Sequence, residues 1–179
     1  MDVLEIKDKT FAVSISAEEI QKQVKRVAEE ITSDLQGKDP IFLGILNGSF
    51  MFMADLMKYV NIPSELCFVK FSSYVGTQST GEMKEFLGLT QNVTGRTVVI
   101  VEDIVESGFT MQYMIDYLAK RGPKEIKVAT LLVKPELLKA DVHIDYRAFD
   151  IPNDFIVGYG LDYYGYGRNY PDIYTLVSK

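Results

Sequence analysis

Residues 98–114 read VVIVEDIVESGFTMQYM, and the fold of the whole chain follows from how that stretch is parsed. Its first four residues are apolar without interruption, the mark of a strand buried on both faces. Two adjacent carboxylates, Glu102 and Asp103, end the apolar run. Two more apolar residues, a third carboxylate at Glu106 and the Ser107–Gly108 turn follow, and Thr110 opens a helix marked by Met111, Met114, Ile115 and Leu118. In open α/β sheets ligands sit beyond the carboxyl ends of the strands. Gly108 permits a turn that presents successive backbone N–H groups, and the helix behind it adds its positive end. Together with the Ser107 and Thr110 hydroxyls, that turn is a phosphate cradle. Three carboxylates beside it repel phosphate, so their natural partners are sugar hydroxyls and a divalent cation. Neither GxxxxGK[ST] nor a GxGxxG following a strand is present.

Outward from this segment the pattern repeats. Short apolar runs at IFLGIL (41–46), LCFVKF (66–71) and VATLLV (128–133) resemble TVVIV (97–101), and weaker ones lie at YRAF (146–149) and FIVGY (155–159). Phe50 to Tyr59 is a helix-length spacer. Upstream, Ile20, Val24, Val27, Ile31 and Leu35 recur at helical spacing behind a Ser16/Glu19 capping box, and Gly37 closes that helix. Strands alternating with helices predict an α/β fold with a mostly parallel sheet and right-handed crossovers. The 25-residue spacer 72–96 (SSYVGTQSTGEMKEFLGLTQNVTGR) breaks the scheme: it has no helical period and reads as a long polar loop.

Composition bounds the function. With 179 residues, 47% hydrophobic and 25% charged, the chain fits a single globular domain. No apolar run approaches the roughly 20 residues of a membrane span, and MDVLEIKDK has no signal-peptide core. A cytoplasmic protein with no membrane partner is the expectation. A net charge of −6 disfavours nucleic acid as a partner. The single cysteine, Cys67, excludes an internal disulfide and a multi-thiolate metal site, and reads as a buried small hydrophobe. His143, the only histidine, lies far from any Gly-x-Ser-x-Gly elbow and reads as structural.

The pattern of four apolar residues, Glu-Asp, two apolar residues, acid, Ser, Gly, any residue, Thr resembles the phosphoribosyl pyrophosphate signature of the type I phosphoribosyltransferases. Three further stretches, ILNGSF, SSYVGTQSTG, and LLVKP with FIVGYGLDYYGYGRN, are similar in order to the 6-oxopurine branch of that family. The resemblance implies the family's fold, a mostly parallel central sheet flanked by helices (about residues 37–150). A small hood lobe would form from the N-terminal segment and about residues 149–179. It implies transfer of the 5-phosphoribosyl group from phosphoribosyl pyrophosphate to hypoxanthine or guanine, with Mg2+ as cofactor and a homodimer or homotetramer as assembly.

It also implies roles. Glu102 and Asp103 would bind the ribose hydroxyls, directly or through the metal. Residues 106–110 (Glu106, Ser107, Gly108, Phe109 and Thr110) would hold the 5'-phosphate. Asn47 and Gly48 lie in a turn that resembles the pyrophosphate loop, which often contains a non-proline cis peptide. Arg168 would bind pyrophosphate, and Ser73 and Tyr74 would open a lid. On the base side, Lys134 would donate to the purine 6-oxygen, Phe155 would stack on the ring, Ile156 would contact its edge through backbone, and Asp162 would serve the metal and the base pocket. Glu106 would take the N7 proton.

Three positions depart from the family pattern. Glu106 replaces an Asp, extending the reach by roughly 1.5 Å, where a misplacement of about 1 Å can cost ~10²-fold in rate. Asn47 stands where Lys or Arg is common, and Phe109 where a small, polar or basic residue is. These departures leave an alternative: a non-enzymatic regulator that senses phosphoribosyl pyrophosphate and binds nucleic acid. The tyrosines at 159, 163, 164, 166 and 170 form a dense cluster that either walls the base site or makes a subunit contact.

Overall fold

The computed structural model describes residues 3–73 and 83–177. The chain opens with a hairpin, β1 (Val3–Ile6) and β2 (Lys9–Ile15), and enters helix α1 (Ala17–Asp34) through Ser16. The Ser16 hydroxyl accepts from the Glu19 N–H at 3.3 Å and the Glu19 carboxylate accepts from the Ser16 N–H at 3.0 Å, so the expected capping box is present. Next come β3 (Ile41–Ile45), α2 (Phe50–Tyr59), β4 (Glu65–Ser73), β5 (Met83–Leu87), β6 (Thr97–Val105), α3 (Phe109–Ala119) and β7 (Glu125–Val133). The chain ends with β8 (Tyr146–Asp150), β9 (Ile156–Val157) and β10 (Ile173–Leu176).

Six strands form the central sheet in the order β5-β4-β3-β6-β7-β8, parallel throughout except for the antiparallel edge strand β5. Alternation along the strands splits the core between the two faces. Phe42, Val99 and Val101 pack with Ile20, Val24 and Ile31 of α1 and Phe52 and Leu56 of α2. Ile41, Leu43, Val98 and Ile100 pack on the opposite face with Met111, Met114 and Leu118 of α3. A second, antiparallel sheet, β1-β2-β10-β9, carries its own small core of Ile6, Phe11, Val157 and Tyr174. Among the described residues no helix is long and apolar enough to cross a membrane.

Two expectations need correction. The buried strand does not end at the acid pair: β6 runs to Val105, with Glu102 opposite Thr130 and Ile104 opposite Leu132 on β7. A ladder bonds backbone to backbone, so two carboxylates do not interrupt it. The β3 ladder, by contrast, stops at Val101. The acid pair therefore lies where β6 has outgrown its neighbour and borders the loop after β3. The 72–96 spacer is not a plain loop, because it contains β5, paired with the end of β4. The weak apolar run at 155–159 forms only a two-residue strand, Ile156 and Val157, which pairs with β10 in the small sheet, within the 149–179 region expected to form the hood.

Candidate active site

Glu102 is almost fully buried and accepts the Asp103 N–H at 3.1 Å, and Asp103 accepts the Ile104 N–H at 2.9 Å. Burial and the adjacent Asp103 charge push Glu102 well above the usual carboxylate range. Burial raises Asp103 as well, against the hydrogen bonds it accepts and the Arg168 charge, which pull it down. Two like charges held out of water are stabilised by a cation between them and the substrate. Hard carboxylate oxygens fit Mg2+, which is commonly bound by one or two carboxylates plus substrate oxygens and water. Among the described residues no three metal-binding side chains converge, and Asp162 does not join the pair.

The turn after β6 is built from local chemistry. Gly108 has φ +83°, a left-handed conformation that a side chain disfavours, and it caps α3. A Cβ there would lie 2.9 Å from Leu138 and 3.1 Å from Ala140 and Val142. The Ser107 carbonyl accepts the Lys139 and Ala140 N–H groups, each at 3.0 Å, which ties the turn to the segment after β7. Glu102, Ile104, Val105, Glu106, Ser107, Gly108, Thr110 and Met111 line one open pocket at this turn. Phe109 is not among them; its side chain is 61% exposed at the start of α3.

The turn after β3 is built from distant neighbours. The Leu46–Asn47 peptide is cis. Gly48 is buried directly against the Asp103 carboxylate, where a Cβ would collide with it, and Gly160 (φ +99°) presses from the other side on the Gly48 carbonyl. Ser49 follows, fully buried, its hydroxyl without a hydrogen-bond partner among the described residues.

The segment 158–168 carries the remaining charged groups. Arg168 pairs with Asp162 at 2.6 Å and donates to the Gly160 carbonyl at 2.6 Å, while Asp162 also accepts the Gly165 N–H at 2.6 Å. Lys134, at the end of β7, has a buried side chain whose Nζ contacts Glu106 Oε1 at 2.5 Å; Glu106 is half exposed. The residues expected to serve as purine donor and as base are thus in direct contact. Phe155 presents a partly exposed ring beside Phe11 (6.0 Å) and edge-on to Tyr163 (5.6 Å), whereas the Ile156 side chain is buried. Neither lines the acidic pocket. Ser73 ends β4, and Tyr74 lies outside the described residues.

Gly160 went unread in the sequence, and Tyr163 was read only as one member of the tyrosine cluster. The tyrosine cluster and the glycines alternating at 158 and 160 mark the segment, but nothing local says which one touches what.

A mostly parallel sheet with an acid pair and a glycine-capped turn at its carboxyl edge is the arrangement that the phosphoribosyltransferase signature implies. Residues 16–164 match the model of the phosphoribosyl transferase domain, and the chain belongs to that family. It is 45% identical over 165 residues to the hypoxanthine-guanine phosphoribosyltransferase of Bacillus subtilis, covering 92% of each chain. The solved hypoxanthine phosphoribosyltransferase of Staphylococcus aureus is similar at a TM-score of 0.89 and 40% identity, over 93% of this chain and 91% of that one. A hypoxanthine-guanine phosphoribosyltransferase of Bacillus anthracis, with HEPES in its active site, gives the same TM-score and identity over 97% and 100%. The two-sheet architecture is the type I phosphoribosyltransferase fold.

Proposed function

We propose that this chain transfers the 5-phosphoribosyl group from phosphoribosyl pyrophosphate to hypoxanthine or guanine, giving IMP or GMP and pyrophosphate. What supports it most directly is the contact of Lys134 with Glu106 at 2.5 Å, beside the pocket that Glu102, Glu106 and the phosphate turn line. The residues proposed as donor to the purine 6-oxygen and as acceptor of its N7 proton thus stand side by side.

In this reading Glu102 and Asp103 hold the ribose hydroxyls, and the Ser107 and Thr110 hydroxyls with the amides around Gly108 hold the 5'-phosphate. Phe155 stacks on the base, and Ile156 meets its edge through backbone. Breaking the bond at C1' leaves positive character on the ribose and negative charge on the departing pyrophosphate. Arg168, aimed by Asp162, and the backbone around Asn47 and Gly48 receive that charge. Mg2+, held by Glu102 and Asp103, would supply further neutralisation of the pyrophosphate. Glu106 takes the N7 proton as the new C–N bond forms. An assembly of two or four copies belongs to the same proposal, and light scattering of the purified protein tests it.

Steady-state assays with phosphoribosyl pyrophosphate, Mg2+ and each of hypoxanthine, guanine, xanthine and adenine test the activity. Turnover of hypoxanthine or guanine is expected, with kcat falling about 10²–10⁴-fold in Glu106→Gln. A variant as fast as wild type would remove Glu106 as the base. Absence of turnover with every purine would overturn the function.

A further inference from the structure

The proposed chemistry leaves unused a carboxylate that joins three parts of the molecule. Asp55 lies on α2, whose first turn follows immediately on the loop containing Asn47 and Gly48. Its Oδ2 accepts the Gln21 side-chain amide at 2.6 Å from α1 and the Tyr159 hydroxyl at 2.7 Å from the 158–168 segment; its Oδ1 accepts Lys58 at 2.7 Å. Those donors hold the Asp55 carboxyl below its ordinary range although burial opposes them.

Tyr159 is 2% exposed and adopts φ +46°, between Gly158 at +97° and Gly160 at +99°. A left-handed backbone is disfavoured for a bulky residue, and glycine would occupy it without that cost. A tyrosine held there against its own preference points to something its side chain must reach, and what it reaches is Asp55. The next residue, Gly160, touches the Gly48 carbonyl, donates its N–H to the Arg168 carbonyl at 3.0 Å and accepts from the Arg168 guanidinium at 2.6 Å.

We infer that Asp55 is a positioning residue: by accepting the Tyr159 hydroxyl it seats Gly160 on Gly48 and so fixes Arg168 relative to the loop after β3. The inference rests on the phosphoribosyl-transfer reading, in which both of those groups face the pyrophosphate. On the purine side, Lys134 just after β7 and Glu106 just beyond β6 lie outside this chain of contacts, and Phe155 and Ile156 are seated by Phe11 and β10 instead. The link therefore governs one substrate and not the other, which a merely structural role would not do.

The test compares KM for phosphoribosyl pyrophosphate with KM for hypoxanthine in wild type, Tyr159→Phe, Asp55→Asn and Lys58→Ala, with thermal melting alongside. Tyr159→Phe keeps the ring and deletes only the hydroxyl, and is expected to raise KM for phosphoribosyl pyrophosphate about tenfold, the scale of one buried hydrogen bond to a charged group. Its KM for hypoxanthine stays at the wild-type value. Asp55→Asn retains an oxygen acceptor for the hydroxyl and is expected to stay within about threefold of wild type. Lys58→Ala loses only an exposed ion pair and is expected to match wild type. Unchanged KM for phosphoribosyl pyrophosphate in Tyr159→Phe, or equal rises in both KM values, would overturn the inference while leaving the activity intact. A wild type that turns over no purine would remove the underlying reading instead.

Discussion

The two turns that frame the acid pair reach similar ends by opposite means. The one after β6 takes its shape from its own residues: Gly108 supplies the left-handed backbone, and Ser107 then anchors that shape to residues 139 and 140. The one after β3 has little of its own; Gly48 is held between Asp103 on β6 and Gly160, more than a hundred residues further along. A locally encoded turn survives changes elsewhere in the molecule. A turn shaped by its neighbours transmits every displacement of theirs into the site.

Substitutions can break or sharpen that contrast. Gly160→Ala should have the largest effect, since its Cβ would meet the Gly48 backbone carbonyl in a left-handed conformation. A loss of about 10²-fold in kcat/KM is expected, mostly through KM for phosphoribosyl pyrophosphate. Gly108→Ala should cost less, about 1–2 kcal/mol from the left-handed backbone, seen as roughly 2–8 °C in Tm. If the two substitutions proved equally damaging to the rate, the contrast would fail.

Glu102→Gln sharpens it from the strand between the turns. Because folding raises the Glu102 carboxyl, the folded chain binds that proton more tightly than the unfolded one, and stability falls as pH rises through the carboxylate range. The variant without ligand should melt like wild type near pH 4 and a few degrees higher near pH 8, on a scale of roughly 2–4 °C per kcal/mol. Melting curves across that range decide it. Phe109→Ser should do least, with kcat and KM within about twofold of wild type, because the side chain faces solvent and a surface substitution is commonly within ±0.5 kcal/mol.

The same contrast explains what could be read from the sequence. The phosphate turn was legible because Gly108, Ser107 and Thr110 carry their conformational meaning locally, as do Ser16 and Glu19 at the start of α1. The apolar runs of β3, β6 and β7 were legible because those strands are buried on both faces. The small sheet was not: along β2 only Phe11 is buried, and β9 has two residues, so no alternation develops. In β5 both Phe86 and Leu87 are exposed, which hides the strand among polar neighbours. The extent of β6 past its carboxylates is set by β7 and is invisible in β6 itself. The seat of Gly48 depends on residues 103 and 160 together, a coincidence that no single window contains.

The pairing of Lys134 with Glu106 has a consequence for the enzyme at rest. With the proposed roles, phosphoribosyl pyrophosphate bound alone would face a site in which one oxygen of the proposed base, Glu106 Oε1, is already engaged by the Lys134 ammonium. In that reading an arriving oxopurine would draw Lys134 onto its 6-oxygen and leave the Glu106 carboxylate free as N7 comes within reach. The contact would then act as a catch, released by the acceptor that the reaction is meant to use.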